Sequence, residues 1–357
     1  MAHSEYEGKR VWILGAGFSR HLGAPLFHEL FSGEMGLIVK TAFSEADGFD
    51  RLHDLFARVG IVYRSGAGKV QLEEEPSPIA WSNPEQFLEV ISGWATNPGL
   101  VYEGYHQGES TDYWETILVA ALRRLAAEVS CCYADPSVFM GERALAYKQW
   151  ASGLKAGQDV IITFNYDTIV ESLGIVGLQQ VFNDPSDTEV RMFNGRVPLL
   201  KMHGSVDWKR TESGNVKCSL EDTMKECRKI TEFAMAIPGT GKLSFNRENQ
   251  WLWNCAEQFV QGAETINFVG YRIPETDGLA LNSICKSIRR RCAASKRDSY
   301  PRINIVLGPM PTPERGRAEG LMRLLLGEPA SANPRSRKVH VHDMWAQDYF
   351  QKSGTLS

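Results

Sequence analysis

Val160-Ile161-Ile162-Thr163-Phe164-Asn165-Tyr166-Asp167 is the stretch that decides the fold class. Its branched apolar run reads as a buried strand, and strands buried on both faces belong to parallel sheets. Asn165 and Asp167 then lie just past the strand's carboxyl end. A second segment repeats the arrangement: Val197-Pro198-Leu199-Leu200 runs into Lys201-Met202-His203-Gly204-Ser205. In open parallel α/β sheets, ligands bind outside the carboxyl ends of the strands. An amide and an imidazole placed there, with a glycine turn near the N-terminus, point to work on a nucleotide.

Further sheet-like runs lie at Val11–Leu14, Gln180–Phe182, Val197–Met202, Thr265–Val269, Ile303–Leu307 and Val339–Val341. Helical segments separate several of them: Tyr166–Leu173, Thr276–Arg291 and Pro313–Leu326. Strands alternating with helices predict an α/β fold, a Rossmann-like parallel sheet with helices on both faces. A further helix is expected near Pro25, continuing through Phe31, since proline suits a first helical turn. Between residues 36 and 158 the character changes. Helical patterns dominate at Phe49–Val59, Pro84–Trp94 and Tyr113–Val129, separated by the polar stretches Arg64–Ser82 and Asn97–Ser110. Ile117, Leu118, Ala121, Leu122 and Leu125 recur at amphipathic helical spacing. The expected organisation is a Rossmann-like domain from 1–35 and 159–357, interrupted by a mainly helical insertion over 36–158, with no internal repeat.

The chain has 357 residues, 43% of them hydrophobic, and a net charge of -4, so no global basic signature indicates nucleic acid. No stretch approaches the ~20 consecutive apolar residues of a membrane span. Met1–Arg10 is polar and charged, without the apolar region of a secretion signal. A cytoplasmic protein without a membrane partner is expected. The seven cysteines form no C-x-x-C pair and fit neither a zinc ribbon nor a disulfide framework. Cys218, Cys227 and Cys255 could share a metal, but their gaps are irregular, and reduced thiols with no metal are the plainer expectation.

Gly15-Ala16-Gly17-Phe18-Ser19 follows a strand, where glycines permit a tight turn and close approach of backbone to a pyrophosphate. Arg20 stands where the G-x-G-x-x-G pattern has its third glycine, and Glu34 is the acid at about the distance of a ribose partner. A plain strand-to-helix turn is the alternative. Asn165 can hold a ribose hydroxyl or position a water, or it can cap a helix. Asp167 can be part of the site or a first-turn acid favoured by the helix dipole. His203 can take a proton near neutral pH, with Gly204 allowing close approach beside it; a strand-end histidine satisfied by a hydrogen bond is the alternative. His53 and His106 have no comparable setting, whereas His340 and His342 alternate on a strand without a third metal ligand. Phe268-Val269-Gly270-Tyr271-Arg272-Ile273-Pro274-Glu275-Thr276-Asp277 is a fourth strand end, with Thr276 or Asp277 placed to cap the next helix. The basic cluster Arg289-Arg290-Arg291, with Lys296 and Arg297, reads as a solvated helix end more readily than as a partner surface.

In this order the four segments resemble the sirtuin-like family, and more narrowly its bacterial antiphage-defence branch of NAD hydrolases. The resemblance implies that NAD+ is the substrate. It places Gly15, Ala16, Gly17, Phe18, Ser19, Thr163, Gly204, Ser205, Gly270 and Tyr271 around the dinucleotide. Asn165 and Asp167 match the paired polar residues near the nicotinamide ribose, and His203 matches the catalytic histidine. Deacetylating relatives carry a four-cysteine zinc module beside the acyl-lysine cleft. Here Val206–Phe245 contains only Cys218 and Cys227. That departure favours water as acceptor, giving nicotinamide and ADP-ribose. The other implied readings are a non-enzymatic NAD or ADP-ribose sensor and an NAD-dependent deacylase or ADP-ribosyltransferase. The resemblance also implies a homo-oligomer, or a separate defence partner such as a DNA-translocase-type ATPase.

Overall fold

The computed structural model describes residues 9–32, 35, 56–63, 83–96, 111–131, 136–182, 195–237, 240–273, 277–294, 299–309, 312–328 and 337–354. The expected stretches over 49–55, 64–82 and 97–110 lie outside the described residues. So do Glu34, His53, His106, Cys132, Pro274, Glu275, Thr276, Lys296 and Arg297.

The strands are β1 (Lys9–Leu14), β2 (Asp159–Thr163), β3 (Leu178–Gln180), β4 (Val197–Lys201), β5 (Gly204–Thr211), β6 (Gly214–Lys217), β7 (Phe233–Met235), β8 (Ala263–Val269), β9 (Arg302–Val306) and β10 (Val339–His342). Seven of them form one sheet in the order β10-β9-β8-β1-β2-β4-β3, and every pairing in it is parallel. β1 is central and the chain order reverses around it, with β2 on one side and β8 on the other. That is the topological switch point where such sheets open a crevice. β3 begins two residues before the expected run, although Val181 N–H still donates to Leu199 O at 3.1 Å.

The helices are α1 (Ala16–Ser19), α2 (Pro84–Thr96), α3 (Thr111–Ser130), α4 (Glu142–Ser152), α5 (Ile169–Ser172), α6 (Leu220–Glu226), α7 (Thr240–Glu248), α8 (Gln250–Gly262), α9 (Gly278–Ala293), α10 (Pro313–Leu325) and α11 (Ala346–Gly354). Residues 56–63 are helical as well. Alternate strand residues serve opposite faces, as the period of two requires. Val11, Ile13, Val160 and Ile162 pack with Phe259, Ile284 and Met322 of α8, α9 and α10. Trp12, Leu14 and Ile161 pack with Tyr147 and Trp150 of α4 and with Phe350 of α11. Both faces are therefore covered, and the central strands have no need of polar alternation.

Within 36–158 the helices divide by partner. α2 and α3 build a separate core, in which Phe87, Leu88, Ile117, Leu118 and Leu125 meet Val206, Phe233 and Met235 from β5 and β7. α4 instead lies on the sheet, its Trp150 edge-on to Trp12 at 5.5 Å. β5, β6 and β7 form a second, antiparallel sheet that the strand-like runs do not foretell. In it, Val206 and Trp208 are buried.

The helix expected from Pro25 through Phe31 is replaced by short turns. α1 spans one turn, a 3-10 turn follows at Arg20–Leu22, and Gly23 ends it at φ 96 in the left-handed region. Proline disfavours helical geometry in the residue before it. The next 3-10 turn, Phe27–Glu29, is closed by its own side chain: Leu26 N–H donates to Glu29 Oε2 at 2.7 Å. Phe31 N–H then donates to Glu128 Oε2 at 2.7 Å, fastening this segment to α3.

Candidate functional site

The turns after β1 and β8 interlock. Gly15 N–H donates to Val269 O at 3.1 Å, Gly17 N–H to Gly270 O at 3.1 Å and Phe18 N–H to Gly15 O at 2.8 Å. A Cβ on Gly17 would lie 2.8 Å from Gly270 Cα, and one on Gly270 would lie 2.1 Å from Phe18 N. The glycines thus serve the fit of one backbone against another. Two of the turn's amides, those of Gly15 and Gly17, are spent on that fit and the Phe18 amide is spent within the turn itself, which leaves fewer backbone N–H groups for a pyrophosphate.

This interlock forms the floor of a cleft of about 340 Å³, lined by residues that follow β1, β2, β8 and β9 and by parts of α2, α7 and α11. Its size is in the usual range for a small-molecule site. Gly15, Ala16, Gly17, Asn165, His203, Gly270 and Tyr271 all border it. Asn165 is fixed by its amide, which donates to Gly15 O and Ser19 Oγ, each at 3.1 Å. Its backbone N–H donates to Thr163 Oγ1, and the N-cap position of α5 belongs to Thr168, so Asn165 does not serve as a helix cap.

His203 stands at the end of the β4 segment, just before β5, and only 5% of it is exposed. Its ring lies edge-on to Phe164 at 5.1 Å. Phe164 stacks in turn on Tyr271 at 4.2 Å. His203 Nε2 is 3.6 Å from Asp277 Oδ1. Burial lowers the His203 pKa, Asp277 opposes that shift, and Lys242 adds to it. The imidazole is therefore neutral around pH 7 and able to accept a proton.

The remaining predicted residues lie behind the wall. Phe18 is buried between Tyr147, Trp150 and Phe350. Ser19 Oγ donates to Asp167 Oδ2 at 2.7 Å, and Asp167 Oδ1 accepts from Ile169 N–H at 3.1 Å. Lys201 Nζ donates to the Asp167 carbonyl and to Glu171 Oε1. Desolvation raises the Asp167 pKa, with Lys201 and Ser19 pulling against it. Gly204, at φ 74, lets β7 approach: a Cβ there would lie 1.9 Å from Ala234 O. Ser205 Oγ donates to Asp207 Oδ1 at 2.5 Å.

Residue reading alone missed Glu85 and Lys242 on the wall and gave Asp277 only a capping role. Asp277 makes no side-chain cap to α9; it accepts from Lys242 Nζ at 2.7 Å and from Tyr271 Oη at 3.2 Å. Its separation of 74 positions from His203 leaves no sequence signal for the pairing. Two guanidinium groups, Arg20 and Arg272, also border the cleft. Arg20 is held by both carboxylate oxygens of Glu29, at 2.5 and 2.7 Å.

Asn165, His203, Lys242, Gly270 and Asp277 fall within one stretch that has a known counterpart. Residues 159–319 match the SIR2-like domain family. The SIR2-like stretch holds the β2, β4 and β8 ends, while the Gly15–Ser19 turn and Glu85 reach the cleft from outside it. Among solved structures, a Sir2 homolog–NAD complex is 14% identical with TM-score 0.43, over 99% of this chain and 90% of that one. A Sir2 variant with deacetylated p53 peptide and 3'-O-acetyl ADP ribose is 13% identical with TM-score 0.41, over 98% of this chain and 93% of that one. A Sir2–p53 peptide–NAD+ complex is 12% identical with TM-score 0.33, over 98% and 94%. No curated protein matches the chain.

Among the described residues, no group of three or more His, Cys, Asp or Glu side chains is arranged to hold a metal ion, and no helix is long and apolar enough to cross a membrane. Cys218 and Cys227 flank α6. Burial pushes the Cys227 thiol up to about 12 and raises that of Cys218 as well.

Proposed function

We propose that the protein is an NAD+ glycohydrolase that cleaves NAD+ to nicotinamide and ADP-ribose. The observation that carries this reading is the neutral, buried His203 imidazole sharing a cleft wall with the fixed Asn165 carboxamide. Breaking the bond between C1′ and the nicotinamide nitrogen sends the bonding electrons to the ring, which leaves neutral. The ribose becomes oxocarbenium-like, so the site must mainly orient substrate and aim an acceptor. Water adds to C1′ and loses one proton, which His203 is placed to accept. Asn165 orients the water or the ribose hydroxyls.

The wall supports water as that acceptor. Among the described residues lining the cleft there is no serine, threonine or cysteine. Its tyrosine hydroxyls donate elsewhere, Tyr166 to Ala236 O and Tyr271 to Asp277. Lys242 is ion-paired with Glu85 and Asp277. The Val206–Phe245 stretch, which contains most of the β5–β7 sheet, holds only Cys218 and Cys227 rather than the four cysteines of a zinc module. The cations Arg20 and Arg272 suit the pyrophosphate of the dinucleotide. The resemblance to defence proteins extends the proposal to antiphage defence by NAD depletion, by a homo-oligomer or with an ATPase partner.

The test is NAD consumption at several protein concentrations. His203→Ala and Asn165→Ala are each expected to lower turnover by about a thousandfold, near the loss of a general base or positioning group, while the thermal transition stays in place. Undiminished turnover in both variants overturns the assignment, and binding of NAD without turnover by wild type at every concentration identifies a sensor instead.

A further inference from the structure

Two side chains from distant elements, Lys242 and His203, converge on the Asp277 carboxylate. Asp277 Oδ1, at the head of α9, accepts from Lys242 Nζ of α7 at 2.7 Å and lies 3.6 Å from His203 Nε2. Lys242 Nζ also donates to Glu85 Oε1, at the start of α2, at 2.8 Å. The line Glu85–Lys242–Asp277–His203 therefore runs from the α2–α3 helical unit to the imidazole. Side-chain exposure drops from 23% for Glu85 to 10% for Lys242 and stays low at the inner end, 4% for Asp277 and 6% for His203. Charged groups this far from water interact strongly and hold few alternative partners.

Resting on His203 as the proton acceptor, we infer that Asp277 is a positioning residue for the His203 imidazole and that Lys242, anchored by Glu85, offsets the Asp277 charge. A carboxylate beside an imidazole fixes its orientation and stabilises the imidazolium. An ammonium on the same carboxylate does the reverse. Lys242 thereby keeps Asp277 ionised and in place while weakening its hold on the imidazolium, so that His203 stays unprotonated at neutral pH. Burial resists ionisation of Asp277, but His203 and Lys242 outweigh it and hold its pKa low. The groups facing His203 are Asp277 at the head of α9, Lys242 from α7, Glu85 from α2, and the phenols of Tyr166 and Tyr271. Burial raises both phenol pKa values, so these two stay neutral. Because Glu85 belongs to α2, the docking of the helical unit bears directly on the base.

The experiment is an NMR titration of the His203 imidazole in the full chain, assigned by its loss in His203→Ala and read without NAD. Relative to wild type, the midpoint is expected to fall in Asp277→Asn and to rise in Lys242→Met. In Glu85→Gln it falls, by less than in Asp277→Asn. A merely structural role would not give opposite displacements. Midpoints that stay put, or that move the same way in Asp277→Asn and Lys242→Met, overturn the inference. Should Lys242→Met not fold, the near-isosteric Glu85→Gln decides: a midpoint that does not fall overturns it. In the turnover assay the acid limb of kcat/KM should follow the same order, with Asp277→Asn losing about tenfold or more, up to the ~10⁴-fold loss known for a carboxylate that orients a catalytic histidine. If the titration shifts appear while wild type does not turn over NAD, the hydrolase reading fails and the positioning network stands.

Discussion

Asn165 and Asp167 leave the same strand end, two residues apart, and both are buried, yet only Asn165 borders the cleft. The same division recurs after β4, where His203 is on the wall while Gly204 and Ser205 are not. A motif at a strand end thus contributes to two layers. The wall presents hydrogen-bonding and titratable groups to a ligand. The layer behind spends its polar atoms on the protein: Ser19 and Asp167 on each other and on Asn165, Lys201 on Asp167 and Glu171, Ser205 on Asp207. Polar character alone does not separate the layers, because Asn165 and His203 on the wall are buried just as Ser19, Asp167, Lys201 and Ser205 behind it are.

The strongest way to break the comparison is at the floor, where the layers meet. Gly270 has φ 67, and a Cβ would press on backbone, 2.1 Å from Phe18 N and 2.4 Å from Gly17 C. No side-chain rotation relieves that contact. Gly270→Ala is expected to cost about 4 kcal/mol or more, the range kept for core disruption and backbone strain. Urea unfolding measures it. A loss under about 1 kcal/mol would show that the two turns can separate without consequence.

Asp167 sharpens the comparison, because the resemblance puts it in the chemistry and the geometry puts it behind Ser19. Asp167→Asn keeps an oxygen for Ile169 N–H and a partner for Ser19, so a cost of about 1 kcal/mol is expected, against about 1–3 kcal/mol for Asp167→Ala. NAD turnover in Asp167→Asn should stay well above that of Asn165→Ala; an equal loss would move Asp167 onto the wall. The pH dependence has a definite sign. Burial raises the folded-state pKa of Asp167 above its unfolded value. Its contribution is therefore fully present below the unfolded pKa of about 3.9 and is lost as pH rises through the folded value. The stability of wild type relative to Asp167→Asn should fall over that window in paired denaturant titrations.

The parallel sheet was legible because its strands are covered on both faces and read as unbroken apolar runs. The strand ends were legible for the same reason: the runs stop abruptly at Thr163, Lys201 and Gly270. The second sheet was not, since β5 carries no unbroken apolar run: Ser205-Val206-Asp207-Trp208-Lys209 alternates polar and apolar, the pattern of a strand with one apolar face, and Val206 turns that face to α3. The short turns after β1 follow from Gly23 and from the Glu29 side chain, each a single-residue effect that overrides the proline signal. Glu85 and Lys242 were invisible for a different reason. Each is an ordinary charged residue on a helix, and its meaning arises only from the partner that the fold brings within 2.8 Å.

The smallest expected effect concerns Ser205. Its hydroxyl lies 2.5 Å from Asp207 Oδ1 and 3.2 Å from Tyr166 O, so it fastens the start of β5 to the loop after β2. Ser205→Ala should cost about 1 kcal/mol, the net worth of one such hydrogen bond. It should leave kcat and KM for NAD within about twofold of wild type, by the reading that the group touches no substrate. The outcome bears on the whole His203-Gly204-Ser205 segment. Gly204 is explained by the approach of Ala234, and Ser205 by its bond to Asp207. His203 would then be the only one of the three answerable to the ligand. A rise in KM in Ser205→Ala would bring the second residue of the layer behind into the site, acting through Tyr166, whose ring lies 6.1 Å from that of His203.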